Sequence, residues 1–363
     1  MRKVLFGEVV QEVKEKVDRA NNPYEYYVAG DHMDTEDLTI RRRGLFATDD
    51  VGPAFIREFH AGQILYGSRR TYLKKVAVAD FDGVTANTTF VLETKNEEVL
   101  RQRLIPFIML SEGFTAWSIK KSKGSTNPYV LFADIAGYEF ELPDLETQDK
   151  LVEVLWNAVK TQDSYKKLLK MTDELVKSQF IEMFGGGCFP TVLLADVYKL
   201  QMGKTPPREE TRYWDSRDYR WISIADLSLY GKVTGDTKEY ISQAAVNETG
   251  IKIVPKNTVI MSFKLTIGKT AVTSEDIFTN EAIMAFIPLQ NKIINPFLQC
   301  YLEFKDWREE GKRAVKGVTL NKESIGNTSI IVPPLELQEQ FAEFVQQSDK
   351  SKFALLCVSN LNL

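Results

Sequence analysis

From Pro143 to Phe184 the chain reads PDLETQDKLVEVLWNAVKTQDSYKKLLKMTDELVKSQFIEMF, and Gly185-Gly186-Gly187 follows at once. Nothing between Asp144 and Phe184 is Gly or Pro. Leu151, Leu155, Ala158, Tyr165, Leu169 and Val176 recur at intervals of three, four or seven, the spacing of one helical face. Asp144 and Glu146 put acid at the start, where it suits the helix dipole, and Lys166, Lys167 and Lys170 fall further on. The glycine triplet is read as a helix stop and hinge. Some forty residues rising 1.5 Å each make a rod on the order of 60 Å long. An ordinary buried helix, broken once, is the plain alternative. No compact domain needs a central helix of that length, so the stretch is read as spanning something.

Composition sets the bounds. At 363 residues the chain has room for about two domains, each with its own core. A hydrophobic fraction of 44% with mixed charges describes a globular protein. No apolar run approaches a membrane span, and MRKVLFGEVV turns polar too soon for a signal peptide. The cysteines, Cys188, Cys300 and Cys357, are odd in number and far apart. They suit neither a disulfide framework nor a zinc cluster, which points to the cytoplasm. His32 and His60 are read as loop or surface residues. The net charge of −4 argues against an indiscriminate nucleic-acid coat, yet leaves room for a local basic groove.

Around the central stretch the two flanks read alike. Strands are expected at Ile64-Leu65-Tyr66, Val76-Ala77-Val78, Thr89–Leu92 and Tyr129–Phe132, with a helical Val99–Leu110. In the second half, strand-like runs at Thr258–Met261, Thr270–Val272 and Ile283–Ile287 lead to a helical Phe297–Trp307. Tyr66–Ala86 aligns without a gap on Ile260–Asn280, so that Ser68, Lys75, Ala77, Val78, Asp82 and Thr85 face Ser262, Lys269, Ala271, Val272, Asp276 and Thr279, while Arg70 faces Lys264. Further on, Ile135, Pro143, Leu145, Glu146 and Gln148 face Ile325, Pro333, Leu335, Glu336 and Gln338. The order is therefore domain, helix, domain, helix. The apolar faces of the two helices are expected to pair antiparallel, with a domain at either end of the rod.

The repeated block is basic. Arg69, Arg70, Lys74 and Lys75 surround Tyr72 in the first half, and Lys264 and Lys269 stand in the second. Such residues contact phosphates, and Arg can also read guanine; a solvated sheet edge is the alternative. Arg41-Arg42-Arg43, Lys120-Lys121-Ser122-Lys123 and the run from Lys312 to Gly317 are further basic candidates. Gly203-Lys204-Thr205-Pro206-Pro207 forms a fixed loop in which Lys204 and Thr205 could donate to phosphate or a base edge. It lacks the upstream glycine of a Walker loop. Trp214 and Trp221 are read as core. Catalytic readings fail: Asn22-Pro23-Tyr24 and Asn127-Pro128-Tyr129 lack the second proline of an amino-methyltransferase loop. Two histidines do not supply a Ser-His-Asp set, and no carboxylates stand at metal-binding spacing.

Gly203-Lys204-Thr205-Pro206, Tyr213-Trp214, Trp221-Ile222, Ile241-Ser242, Ile267-Gly268, Thr279-Asn280 and Pro333-Pro334-Leu335-Glu336-Leu337-Gln338-Glu339-Gln340 are similar to the pattern of the specificity subunits of type I restriction-modification systems. The helix beginning at Pro143 resembles that family's central spacer. The resemblance implies an α+β fold: mixed α/β target-recognition domains at 1–142 and 188–332, a spacer helix at 143–187 and a distal helix at 333–363 forming an antiparallel coiled coil with it. It also implies double-stranded DNA as the ligand, read as a split, asymmetric site. Two modification subunits, which use S-adenosylmethionine to methylate adenine, would dock on the chain. Two restriction subunits, which use ATP and magnesium, would complete the nuclease. The chain itself would hold no cofactor and catalyse nothing. One departure is the tail from Cys357 to Leu363, which loses the charged helical text, so a shortened distal helix is expected. A nuclease acting alone and a scaffold that binds no nucleic acid are the competing classes.

Overall fold

The computed structural model describes residues 2–264, 266–307, 312–314 and 317–359, without the side chains of 312–314, 317–319 and 353–359. Leu145–Phe184 is one unbroken helix of 40 residues. It starts because Asp144 Oδ1 accepts the Thr147 N–H at 2.9 Å, capping an orphan donor. At its far end the Gly185 N–H reaches the Ile181 carbonyl at 2.7 Å. The chain divides into two compact units, one up to Ser164 and the other from Tyr165 onward, so the helix contributes to both. In the first, Val152, Leu155, Trp156 and Val159 pack against the core; in the second, Val176, Phe180 and Phe184 do so. The face thus runs through Val152 and Val159, and Leu151 is exposed. The expectation for Leu151 fails because the buried stripe sits one residue further along.

Each unit is built on the same sheet. In the first, a four-stranded antiparallel sheet has the order Val10–Val13, Thr89–Thr94, Ile64–Gly67, Val76–Val78. In the second the order is Tyr198–Met202, Ile283–Pro288, Val259–Ser262, Thr270–Val272. A further sheet in each holds one parallel pair, Tyr27 beside Val84 and Trp221 beside Phe278. Each unit is closed by an antiparallel pair just before its long helix: Arg2–Leu5 on Glu139–Leu142, and Thr191–Leu193 on Ser329–Ile331. The mixed α/β pseudo-repeat is therefore present in the hydrogen-bond ladders.

Two details differ from expectation. Tyr66 pairs with Val76, whereas Ile260 pairs with Ala271. Ile64 lies opposite Leu92 and Val259 opposite Phe286. The gapless alignment is therefore one residue out before the hairpin loop and correct after it. Gly67, not Ser68, matches Ser262, and Arg69 rather than Arg70 matches Lys264. The second loop is one residue shorter, which a gapless comparison hides. Tyr129–Phe132 is not a strand: Tyr129 makes isolated bridges to Arg69 and Lys123, and Phe132 opens a short helix.

The two long helices are anchored identically. Gln148 Nε2 donates to the Val99 and Pro143 carbonyls at 3.0 and 2.9 Å, and its Oε1 accepts the Arg101 N–H at 2.9 Å. Gln338 Nε2 donates to Lys292 and Pro333 at 2.9 and 2.8 Å, and its Oε1 accepts the Ile294 N–H at 3.0 Å. Both glutamines are buried. In the second unit Leu335–Ser359 packs against the central helix with Phe341 on Phe180 and Phe184 (ring centroids 5.4 and 5.5 Å) and Lys352 paired with Asp173. Number rises on one helix as it falls on the other, so the pair is antiparallel.

Replacing either glutamine by Leu strands three backbone groups. It is expected to cost ~1–3 kcal/mol of that unit's stability in urea titration at 25 °C. Asp226 supplies a pH signature. Burial raises its pKa, but donors from Ser223, the Lys238 N–H and Thr237 outweigh burial and leave it lowered. A lowered folded pKa contributes stability that is present above the unfolded value and lost as pH falls through the folded one. The stability gap between the wild type and Asp226→Asn is therefore expected to narrow below about pH 4.

Candidate nucleic-acid interface

In the first unit the hairpin loop between Ile64–Gly67 and Val76–Val78 carries Arg69 and Arg70, both exposed. Arg70 and Lys74 flank a single 3-10 turn with φ of 50° and 45°, a left-handed conformation that is costly for residues with a side chain. Surrounding contacts hold it there. The Arg70 N–H donates to the Pro128 carbonyl at 2.7 Å, and buried Thr71 meets Ser122. Lys74 pairs with Glu36 at 2.5 Å, and the Lys75 ammonium donates to the Gly30 carbonyl. Among the described residues no side-chain partner holds Arg69 or Arg70, while Lys74 and Lys75 brace the loop. The fold brings Lys120, Lys121 and Lys123 beside this loop through the Arg69–Tyr129–Lys123 bridges. Two basic runs distant in sequence thereby share one edge.

In the second unit the loop after Tyr198–Met202 is pressed onto its neighbours. The Gly203 and Lys204 N–H groups donate to Ile283 and Thr279 at 3.2 and 2.9 Å. Trp221 Nε1 donates to the Lys204 carbonyl at 3.0 Å. A Cβ on Gly203 would overlap the Thr279 and Asn280 carbonyl oxygens, so only glycine fits. The Lys204 ammonium donates to the Thr249 carbonyl and the Thr205 hydroxyl to Glu281. The Thr205 hydroxyl is the largest cause of the lowered pKa of Glu281, with Lys264 and Arg208 adding to it against burial. Lys204, Thr205 and Lys264 therefore gather around the Glu281 turn. Lys264 and Lys269 are exposed. Arg208 stacks on Trp214, 3.9 Å from the ring centroid, and grips Glu239 with both terminal nitrogens. Trp221 is buried and Trp214 half-buried.

The remaining basic runs are mostly engaged. Arg41 pairs with Asp37 and Asp163, Arg42 with Asp34, and Arg43 lies 3.8 Å over the Tyr26 ring. The side chains of Lys312, Arg313 and Lys316 lie outside the described residues. Folding also assembles Glu15, Glu58 and His60, whose ligand atoms lie within 4.8 Å of one another. Their separation in sequence hides this set. His60 is 3.5 Å from both Glu58 and Asp82, and Tyr24 donates to Glu58, so the group is a mutually paired surface cluster.

The family model for the type I restriction modification DNA specificity domain matches residues 16–171 and again 189–357. The chain belongs to this family. The first match takes in Ile64–Gly67, Val76–Val78 and Thr89–Thr94 of the first four-stranded sheet and the central helix as far as residue 171; the second takes in the whole second sheet and the distal helix to residue 357. The chain is similar to the specificity subunit of the type I restriction enzyme MjaIX from Methanocaldococcus jannaschii (26% identity, 43% of this chain and 37% of that one). It is also similar to the EcoDI specificity subunit from Escherichia coli (26% identity, 51% of this chain and 41% of that one). The matched stretches thus span about two fifths of those relatives. Two solved structures share the fold. One is a chain from work on complex assembly and conformational transition of the type I R-M system (TM-score 0.57, 20% identity, 99% of this chain, 93% of that one). The other is the type I S subunit from M. genitalium (TM-score 0.54, 14% identity, 99% and 94%).

In this specificity-domain chain the sequence reading missed Gln148 and Gln338 as anchors, Arg208 as a stacked clamp and Glu281 as the hub of the second loop cluster. Only the repeated Pro-Xaa-Leu-Glu-Xaa-Gln text signalled the first two. Gly203→Ala is expected to displace the Lys204–Thr205 loop and cost ~1–3 kcal/mol of stability. Chemical denaturation of the variant checks it.

Proposed function

We propose that the chain is the DNA sequence-reading subunit of a type I restriction-modification complex, and that each half reads one part of a split site. The observation that carries this reading is the double match to a DNA specificity domain, each copy presenting exposed cations (Arg69 and Arg70, Lys264 and Lys269) on the same hairpin loop of the same sheet. Loop cations neutralise phosphates and set the register, leaving neighbouring polar groups to read base edges. The site comprises Arg69, Arg70, Lys204, Thr205, Lys264 and Lys269, with Lys74 and Lys75 bracing the first loop. Because the two loops differ in length and charge, the two half-sites differ in sequence.

In this reading the paired long helices set the gap between half-sites and dock two modification subunits, which bring S-adenosylmethionine and methylate adenine. Two restriction subunits bring the ATP- and magnesium-dependent nuclease. The chain itself supplies the address and no chemistry, and it works in the cytoplasm. No helix among the described residues is long and apolar enough to cross a membrane.

Duplex binding by the full chain is expected to weaken steeply with salt, because each neutralised phosphate releases counterions. Arg70→Ala and Lys264→Ala should each lower affinity for all sequences and reduce the salt slope by about 1. Affinity measured against a duplex series at several salt concentrations checks this. Unchanged slopes in both variants would assign these cations to plain surface.

A further inference from the structure

We infer that Asn87 and Glu281 are equivalent specificity-determining residues, one base-edge reader in each half of the chain. The inference rests on the DNA-reading function proposed above and names where within each half the base is read. The equivalence follows from the ladders. Thr85 and Thr279 take the same place beside Val28 and Ile222 in the parallel pairs. Thr89 and Ile283 take the same place opposite Gly67 and Ser262. The intervening turns have equal length, so Asn87 falls on Glu281 with no gap on either side.

Both side chains are exposed at the tip of their turn. Both turns are bonded to the cationic loop of their own unit: the Ser68 N–H donates to the Thr88 carbonyl and the Phe263 N–H to the Ala282 carbonyl, each at 3.0 Å. Arg69 and Arg70, or Lys264, therefore sit next to the turn. The backbone is fixed from behind. The Asn87 N–H donates to the Ala54 carbonyl at 2.9 Å, and the Ala282 N–H to Asn280 Oδ1 at 3.0 Å. A phosphate contact beside a rigid, exposed polar tip is the arrangement that base readout needs, because the first sets the register in which the second reads.

The residues at the two tips differ in a chemically pointed way. An Asn amide offers a donor and an acceptor side by side, matching the N6 and N7 edge of adenine. A carboxylate only accepts, matching the N4 amino group of cytosine. Thr205 and the Glu281 backbone N–H each fill an acceptor position of the carboxylate, which has about four, so positions remain for a base. The Asn87 amide makes no hydrogen bond among the described residues, so its donor and acceptor are both available.

The test uses the full-length chain and a library of duplexes with randomised positions, selected for binding and sequenced. The wild type is expected to enrich a split motif. Glu281→Gln and Asn87→Asp exchange the two chemistries without changing side-chain size. Each is expected to alter base preference at one position in one half of the motif by at least ~5-fold, leaving the other half as it was. Melting curves matching the wild type establish that both variants are folded. Motifs identical to the wild type in both variants, a change spread over both halves, or loss of all binding in a folded variant would overturn the inference. A wild type that enriches no sequence would instead overturn the proposed DNA-reading function, so the two failures are distinguishable.

Discussion

Gln148 and Gln338 each use an entire side-chain amide, two N–H donors and one oxygen, to hold three backbone groups of a loop and a helix start out of reach of water. A buried amide is tolerated only when it is satisfied, and the carbonyls of Pro143 and Pro333 are orphans that need a partner. The bond set is therefore mutually dependent: the loop fixes the glutamine, and the glutamine fixes where the helix begins. A helix set at its first turn has its direction set along its length. In the second unit the rings of Phe180, Phe184 and Phe341 then fill the seam against the distal helix. Register between the helices follows from apolar packing alone at that point, with Lys352 and Asp173 adding an ion pair beyond it.

With each domain held at its base, sequence change is tolerated at the tips. The four-stranded sheets keep strand order, and the parallel pairs keep register. The hairpin loops do not: the first carries left-handed Arg70 and Lys74, while the second is a residue shorter and places glycine, Gly268, in the left-handed region at φ +86°. Glycine takes that conformation without steric cost, whereas Arg70 and Lys74 need the Pro128, Ser122 and Glu36 contacts to persist there. The added strain in the first loop is matched by additional bracing of the same loop. One framework thus supports two different loop surfaces.

The parts legible in sequence were those governed by periodicity and by exact repetition. Forty residues without Gly or Pro and with a helical apolar stripe can hardly be other than a long helix, and the edge strands of the hairpins showed as short β-branched runs. Leu151 and Val152 both fit a helical stripe that continues to Leu155, and only packing on the first unit's core selects Val152. Tyr129 looked like strand because bridging to both Arg69 and Lys123 requires extended backbone locally, without a ladder to continue it. The register of the repeat was out of reach for a gapless comparison, since the serines at 68 and 262 coincide by type while the ladder places Gly67 opposite the role of Ser262. The Gln148 and Gln338 anchors and the Glu281 cluster depend on residues far apart in sequence, and the Arg208 stack on Trp214 depends on how one turn folds back. Beyond the repeated Pro-Xaa-Leu-Glu-Xaa-Gln text, local patterns carry no trace of them.

Charge completes the argument. A chain of net charge −4 repels a polyanion at long range, so any attraction for one rests on cations that the fold leaves exposed at short range. Arg41, Arg42 and Arg43 were the densest basic text, yet folding consumes them in contacts with Asp37, Asp163, Asp34 and Tyr26. Arg69, Arg70, Lys264 and Lys269 stay exposed on the hairpin loops, beside which Glu36 pairs with Lys74 and Glu281, bonded to Thr205, feels the charge of Lys264. The acidic residues beside these loops are thus as much a part of the surface as the basic ones.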